Sequence, residues 1–460
     1  MPKQNGKITY EAVRRLISSP GSVVHFVGIG GVSMYTLARM VLESGARVTG
    51  SDRVINERCK DLMARGVKFR VGQDASHVNG VSLVVYSSAI SDKNPELLAS
   101  RNLGIHTISR AELMGAIMLD YKTRIGVSGT HGKSTTVAML DAIFTSAMAG
   151  PTTLSGAELQ NGSPLRIGRG ELMLYEACEY CDSFLHFSPG VAVALNMELD
   201  HTDYFEDISA IKRSFTKALS RASSYALVNM DDENLSEIIP DLKCRVVTFG
   251  QTERADWRYL ITAFLDSGLE FTLYHHGTRV QKFKLNIPGT HNVQNAAAAA
   301  IVALEQGVRA EVVPGAIESF VGVPRRLELV GEHHGRPVYY DYAHHPTEII
   351  ASINTLKQIN HDLLTVIFKP HTYSRTLSLW SEFSEALSLA DHIIVTDIFA
   401  AREDPIQGVT ARRLAHNIGE RAIYSPDYEV VSAVDSSTHG TIVIMGAGDT
   451  ENIKNDLLGL

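Results

Sequence analysis

RIGVSGTHGKSTT, residues 124–136, is the stretch from which the fold of this chain is read. Arg124 to Ser128 is short and apolar enough for a buried strand. Gly129 and Gly132 let the backbone turn with its N–H groups inward, and Lys133 and Ser134 open an amphipathic run through Met148. Strand, glycine loop and helix start in direct succession make a phosphate-binding loop, because the first N–H groups of a helix have no carbonyl partner and attract anions. The turn Gly129, Thr130, His131, Gly132, Lys133, Ser134, Thr135 is therefore the expected ATP-binding segment. Lys133 supplies a point charge to the terminal phosphates, and the Ser134 hydroxyl is placed to ligate Mg²⁺. The strict pattern G-x-x-x-x-G-K-[ST] has glycine where Val127 stands, so the ring of amides is expected to close through Gly126 or Gly129.

At 460 residues the chain exceeds what one core serves, and two or three domains are expected. Charged residues at 20% and apolar residues at 44% describe an ordinary globular protein. A net charge of -8 argues against nucleic-acid binding, which normally draws on a surplus of Lys and Arg, so an anionic substrate must be held by local devices. Four cysteines, Cys59, Cys178, Cys181 and Cys244, are too few to staple a chain of this size and fit a reducing cytoplasm. No second pair or spaced histidines complete a zinc set around Cys178 and Cys181, which read as free thiols. The N-terminus lacks an apolar signal core and no run of about 18 apolar residues occurs, so neither export nor a membrane anchor is expected.

Residues 1–20 read as a leading helix with Tyr10, Val13, Leu16 and Ile17 on one face. Val23–Val27, the turn Gly28-Ile-Gly-Gly31 and a helical run from Met34 to Leu42 make a Rossmann-type start, and a second strand runs from Ala46 into Ser51-Asp52. The fingerprint G-x-G-x-x-G ends on Ser33 rather than glycine. The turn supports a pyrophosphate-bearing nucleotide without specifying NAD. After the loop at Gly129, Leu172–Ala177 is a strand carrying Glu176 at its end, and Val191–Asn196 another, running into Asp200, His201 and Asp203. Polar groups at the carboxyl ends of parallel strands lie where such sheets bind ligands. Taken singly, Glu176 reads as a solvated strand end and His201 as a core histidine; together they can complete a metal shell. Tyr259–Leu285 alternates as an antiparallel hairpin region. Asn292 and Asn295 sit three apart at a helix start, as caps or as hydrogen-bonding groups for a base. From about Phe320 a third α/β pattern begins, with Asp341, His344, His345, Lys369, His371 and Arg375 at its strand ends.

The ordered segments HFVGIGGVSM, VVYSSAISDKNPE, SGTHGKSTT, YEACEY, LDHTDYF, IPGTHNVQNA, GVPRRLE, DYAHHPTEI, KPHTYSRT and MGAGD resemble the Mur ligases of peptidoglycan synthesis over nearly the whole chain. The family loop, G-T/S-x-G-K-S/T, does not require the strict first glycine. Ser33 stands where relatives often have glycine, and Thr372 where many have arginine. The resemblance implies an α/β chain of three domains. These are a Rossmann-like UDP-sugar-binding domain over residues 1–122, a P-loop ATPase-like domain with a mixed or parallel sheet over 123–322, and a Rossmann-like amino-acid-binding domain over 323–460. It places Gly28, Gly30, Gly31, Ser51, Asp52, Ser87 and Ser88 at the UDP-sugar, and Asn292, Asn295, Arg326 and Asp341 at adenine and ribose. Ser134, Glu176 and His201 fall at Mg²⁺, and Lys133, His344 and Arg375 act in catalysis. The implied reaction joins L-alanine to the lactyl carboxylate of UDP-N-acetylmuramate at the expense of ATP, through an acyl phosphate, in the cytoplasm, by a monomer or homodimer. A ligase that joins a recycled peptide to the same sugar nucleotide is the alternative within the family.

Overall fold

The computed structural model describes residues 8–202, 204–360, 362–401, 403–437 and 440–460. Asp203 and the first seven residues of the expected leading helix lie outside them; within the described part that helix is Tyr10–Ile17, with Val13 and Ile17 buried. Two compact units are formed. One comprises the described residues up to Met197 with Lys212–Asp256 and Ala298–Arg309, the other Glu198–Ile211, Trp257–Ala297 and Ala310–Leu460.

The first unit holds a five-stranded parallel sheet in the order Lys68–Val71, Arg47–Asp52, Val23–Val27, Leu83–Tyr86, His106–Ser109. Chain order reverses between Val23–Val27 and Leu83–Tyr86, the switch point where such sheets open a crevice at their carboxyl ends. Ser51 and Asp52 belong to the second strand itself rather than following it. The same unit holds the strands Val246–Gly250, Tyr225–Asn229, Val191–Ala194, Thr123–Ser128, Leu172–Glu176 and Thr152–Leu154 in parallel array, with Leu165–Arg166 antiparallel to the last. Ile125, Val127, Leu174, Val193 and Leu227 are fully buried, as strands covered on both faces require. The loop helix is Lys133–Ser146, ending short of Met148, whose φ of 57° leaves the helical region.

The second unit contains the antiparallel strands Trp257–Leu265, Gly268–His275 and Thr278–Leu285. It also contains a six-stranded sheet ordered Glu328–His333, Arg336–Asp341, Thr441–Gly446, Leu364–Lys369, His392–Val395, Ala422–Tyr424, parallel except for its first pair. Alternation along its strands builds two cores. Val366, Phe368, Val395, Val443 and Met445 face Ile349, Ile353 and Leu356 of the helix Pro346–Ile359, while Ile367, Ile394, Ile442 and Ile444 face Val430, Val434, Ile453 and Leu457. Each such side chain contributes about 1.5–3 kcal/mol on full burial, and a doubly wound sheet follows from using both faces. Among the described residues no helix is long and apolar enough to cross a membrane.

Candidate active site

In the first unit, register places Ser128 beside Ala194 and Val127 beside Glu176, so three strands deliver their carboxyl ends to one edge. Val127 is fully buried in the strand, and a Cβ on Gly126 would meet the Tyr175 ring at 2.7 Å. Gly126 therefore serves that packing, and the loop turns at Gly129 (φ 143°) and Gly132 (φ 81°), conformations that disfavour other residues. Asn196 clamps the turn: its Oδ1 accepts from the His131 N–H at 2.8 Å, its Nδ2 donates to the His131 carbonyl at 3.2 Å, and its own carbonyl accepts from the Thr130 N–H. Lys133 Nζ folds back onto the carbonyls of Gly129 and Thr130 and lies 3.3 Å from both carboxylate oxygens of Glu179, whose side chain is 3% exposed. Ser134 and Thr135 are buried at the helix start.

Glu176 closes its strand half-buried. Its Oε1 accepts from Ser155 Oγ at 3.1 Å and from the Gly156 N–H, while its Oε2 makes no hydrogen bond among the described residues. The Ser134 hydroxyl and this carboxylate are hard oxygen donors of the kind Mg²⁺ takes. None of the four cysteines is in a disulfide, and burial pushes the Cys178 thiol up to about 11, so it carries no thiolate at neutral pH.

The second unit gathers Asp200, His201, His344, His371 and Arg375. Arg375 Nη2 donates to Asp200 Oδ1 at 2.7 Å and Nη1 to His371 Nδ1 at 3.2 Å; the side chains of Arg375 and Asp200 are 12% and 10% exposed. Burial alone would raise the Asp200 carboxyl, but Arg375 and His201 outweigh it and hold it far below the usual carboxylate range. The backbone N–H of His201 donates to Asp200 at 2.7 Å and its ring is 25% exposed, so it is not a core histidine. Its φ of 53° is a left-handed conformation that L residues hold only where the surroundings impose it. Glycine takes that φ without backbone strain, and for His201→Gly we expect turnover to fall by ~100-fold or more while the protein stays folded. Normal turnover with an unchanged Mg²⁺ requirement would return His201 to a purely structural role.

His344 Nδ1 lies 2.9 Å from the Tyr342 carbonyl, which only accepts, so Nδ1 carries the proton and Nε2 offers a lone pair. Burial, aided by Arg375 against Glu348, lowers His344 to about 4; burial, Arg375 and His344 lower His371 to about 4. Both are neutral at pH 7. Between about 6.5, the unfolded value, and about 4, the unfolded chain binds protons that the folded one refuses, so stability falls as pH drops through that window. Urea melts are expected to lose about 3 kcal/mol per imidazole across it, and His344→Gln to flatten the slope. A pH-independent unfolding free energy from 7 to 4.5 would contradict the assignment.

Asn292 and Arg326 line one cavity of about 560 Å³, together with Pro288, Tyr339 and Asn360. Asn292 Nδ2 donates to the Pro288 carbonyl at 2.7 Å, and Asn295 Nδ2 lies 3.4 Å from Asn292 Oδ1. Arg326 stacks over Tyr342 and pairs with Glu348 at 3.3 Å. Asp341 is buried, which raises its carboxyl, and its oxygens accept from Ser352 Oγ and the Ala343 N–H, so it pins the strand end from within. Thr372 caps the helix Tyr373–Ser378 by accepting from the Arg375 N–H, and thereby helps aim Arg375.

At the switch point of the five-stranded sheet, the N–H groups of Gly28 and Ile29 donate to the Ser51 carbonyl and the Gly30 N–H donates to Asp52 Oδ2 at 2.8 Å. A Cβ on Gly30 would meet Asn56, Asp52 and Cys59 at 2.9 Å, and Gly31 caps the helix Val32–Glu43. Ser51 Oγ donates to the fully buried Glu96 at 2.7 Å. Ser87 and Ser88 follow the strand across the crevice, Ser88 exposed. Asn196, Glu179 and Glu96 are site-supporting residues that no reading of spacing assigned.

Residues 23–122 match the model described as Mur ligase family, catalytic domain, residues 127–303 the Mur ligase middle domain, and residues 325–448 the Mur ligase, glutamate ligase domain. The chain belongs to the Mur ligase family. It is 42% identical over 443 residues to the UDP-N-acetylmuramate–L-alanine ligase of Caldicellulosiruptor bescii, covering 94% of this chain and 97% of that one. To the enzyme of the same name from Acetivibrio thermocellus it is 39% identical over 441 residues, 94% of each. Among solved structures, the UDP-N-acetylmuramate–alanine ligase of Thermotoga maritima aligns with a TM-score of 0.81 at 26% identity, covering 95% of this chain and 98% of that one. A murein peptide ligase of Psychrobacter arcticus aligns at 0.72 and 23% identity over the same shares, a likeness of fold.

Proposed function

We propose that this chain is an ATP-dependent ligase that joins L-alanine to the lactyl carboxylate of UDP-N-acetylmuramate, releasing ADP and phosphate. The observation that carries the reading is a complete phosphate loop that follows the strand Thr123–Ser128, with Lys133 and Ser134 at the start of its helix, in a chain 42% identical over 94% of its length to a ligase of that name. The lactyl carboxylate attacks the γ-phosphate, and the alanine amine then displaces phosphate from the acyl phosphate. Approach of a carboxylate to a polyanion demands cations. Lys133 meets the terminal phosphates at the helix start, and Arg375 offsets charge on the transferring group. Neutral His344, with its lone pair at Nε2, takes the proton of the attacking amine. Ser134, Glu176 and His201 would hold Mg²⁺, which when bound supplies further charge neutralisation. Asn292, Asn295, Arg326 and Asp341 serve the adenosine side, Asp341 through the backbone it fixes. Gly28, Gly30, Gly31, Ser51, Asp52, Ser87 and Ser88 form the UDP-sugar crevice. The corresponding domains run over 1–122, 123–322 and 323–460, and the protein works in the cytoplasm as a monomer or homodimer.

The test is ADP release with UDP-N-acetylmuramate and ATP, screening L-alanine, glycine, L-serine and a recycled-type tripeptide. L-alanine is expected to give the highest kcat/KM, by at least ~10-fold over the others. Turnover with the tripeptide and none with L-alanine would replace the reading with that of a peptide-recycling ligase. Calorimetry on the full chain separates the first domain's ligand, with heat expected from UDP-N-acetylmuramate and none from NAD.

A further inference from the structure

His333 ends the edge strand of the six-stranded sheet, His334 opens the turn that follows it, and Asp435 belongs to the helix Val430–Ser437. His333 is 7% exposed, and its Nδ1 lies 2.7 Å from the Leu457 carbonyl. That oxygen only accepts, so Nδ1 carries the proton and the Nε2 lone pair faces Asp435 Oδ1 at 2.8 Å. Two lone pairs do not rest against each other at that distance; a second proton or a cation belongs between them. His334 supplies another donor. Consecutive strand residues project to opposite faces, but the left-handed φ of 50° at His334 turns its ring back, leaving the two imidazole centroids 4.3 Å apart and Nε2 3.7 Å from the same Asp435 oxygen.

We infer that His333, His334 and Asp435 form a binding site for a divalent transition-metal ion of the zinc type, separate from the residues that serve ATP. Their three ligand atoms lie within 4.8 Å of one another. Tetrahedral coordination at about 2.0–2.1 Å separates neighbouring ligand atoms by roughly 3.3 Å, and 2.8 and 3.7 Å bracket that separation. Two imidazoles with one carboxylate prefer zinc to magnesium, and the bond from Nδ1–H to a backbone carbonyl is the usual outer support of a metal-binding histidine. Water fills the remaining position. Arg336 Nη2 lies 3.5 Å from Asp435 Oδ1 and competes with the ion for that carboxylate. Bound metal would tie the edge hairpin to the helix Val430–Ser437 and, through Leu457, to the helix Glu451–Leu458.

Zinc chloride is titrated calorimetrically into the full chain in excess Mg²⁺, comparing the native protein with His334→Asn and Asp435→Asn. His334 is 72% exposed on its side chain, and asparagine tolerates the left-handed φ, so the first variant folds. The native chain is expected to bind one zinc ion more than either variant, or to bind it at least ~10-fold more tightly. Equal zinc counts and affinities in all three proteins would leave an imidazolium–carboxylate ion pair only and overturn the site.

Discussion

Lys133→Ala is expected to lower ADP formation by ~10³-fold or more, because the proposed mechanism sets this ammonium against the charge of the terminal phosphates. It is also expected to lower the melting temperature by a few degrees, which the sequence does not foretell. A lysine at a glycine loop reads as a residue with nothing to support. In the fold its Nζ bonds two loop carbonyls and lies 3.3 Å from Glu179, a carboxylate buried to 3% exposure. Deleting the cation leaves that carboxylate short of a charge partner in a poorly solvated place, where a broken pair costs more than an absent one. The two effects separate in the double variant Lys133→Ala/Glu179→Gln, which should regain the melting temperature and stay inactive. A single variant that melts normally and turns over near the native rate would remove Lys133 from the mechanism.

What was legible in the sequence follows the range of the contacts. The loop, the Rossmann turn and the polar strand ends are written in short spacings, so Gly129, Lys133, Glu176 and Arg375 could be singled out without coordinates. The partners that hold them were not. Asn196 is 65 residues from the His131 it clamps, Glu179 is 46 from Lys133, and Asp200 is 175 from Arg375. Nothing in local periodicity announces such pairs. The edge strand Glu328–His333 escaped for a different reason: a register shift between Leu329 and Gly331 breaks the period of two. Ala422–Tyr424, three residues long, is too short to show a period at all.

Arg375→Ala carries the other large effect, and here catalysis and stability share one side chain. Loss of turnover by ~10³-fold or more is expected if the guanidinium offsets charge on the transferring phosphoryl group. The same change strands Asp200, at 8% exposure, without the cation 2.7 Å away, and breaking a buried pair from one side costs about 3–5 kcal/mol. The pH dependence has a definite sign. In the native protein the depressed carboxyl of Asp200 contributes stability that is present above the unfolded carboxylate value and lost only as pH falls through the lower folded one. Without Arg375 that contribution disappears. His344 and His371, both held down in part by Arg375, relax upward, so the variant loses less stability on acidification than the native chain. The gap between the two melting temperatures should therefore be wider at pH 7 than at pH 4.5. Asp200→Asn in the same background should close most of the gap at pH 7 without restoring turnover, since a neutral amide no longer needs a cation. Arg375→Lys retains the charge but not the fork that reaches Asp200 and His371 together, and it should recover stability before activity. A gap of equal size at both pH values would mean that Arg375 does not hold His344 and His371 down, and no recovery in the Asp200→Asn background would mean that the Asp200–Arg375 pair carries none of the stability assigned to it.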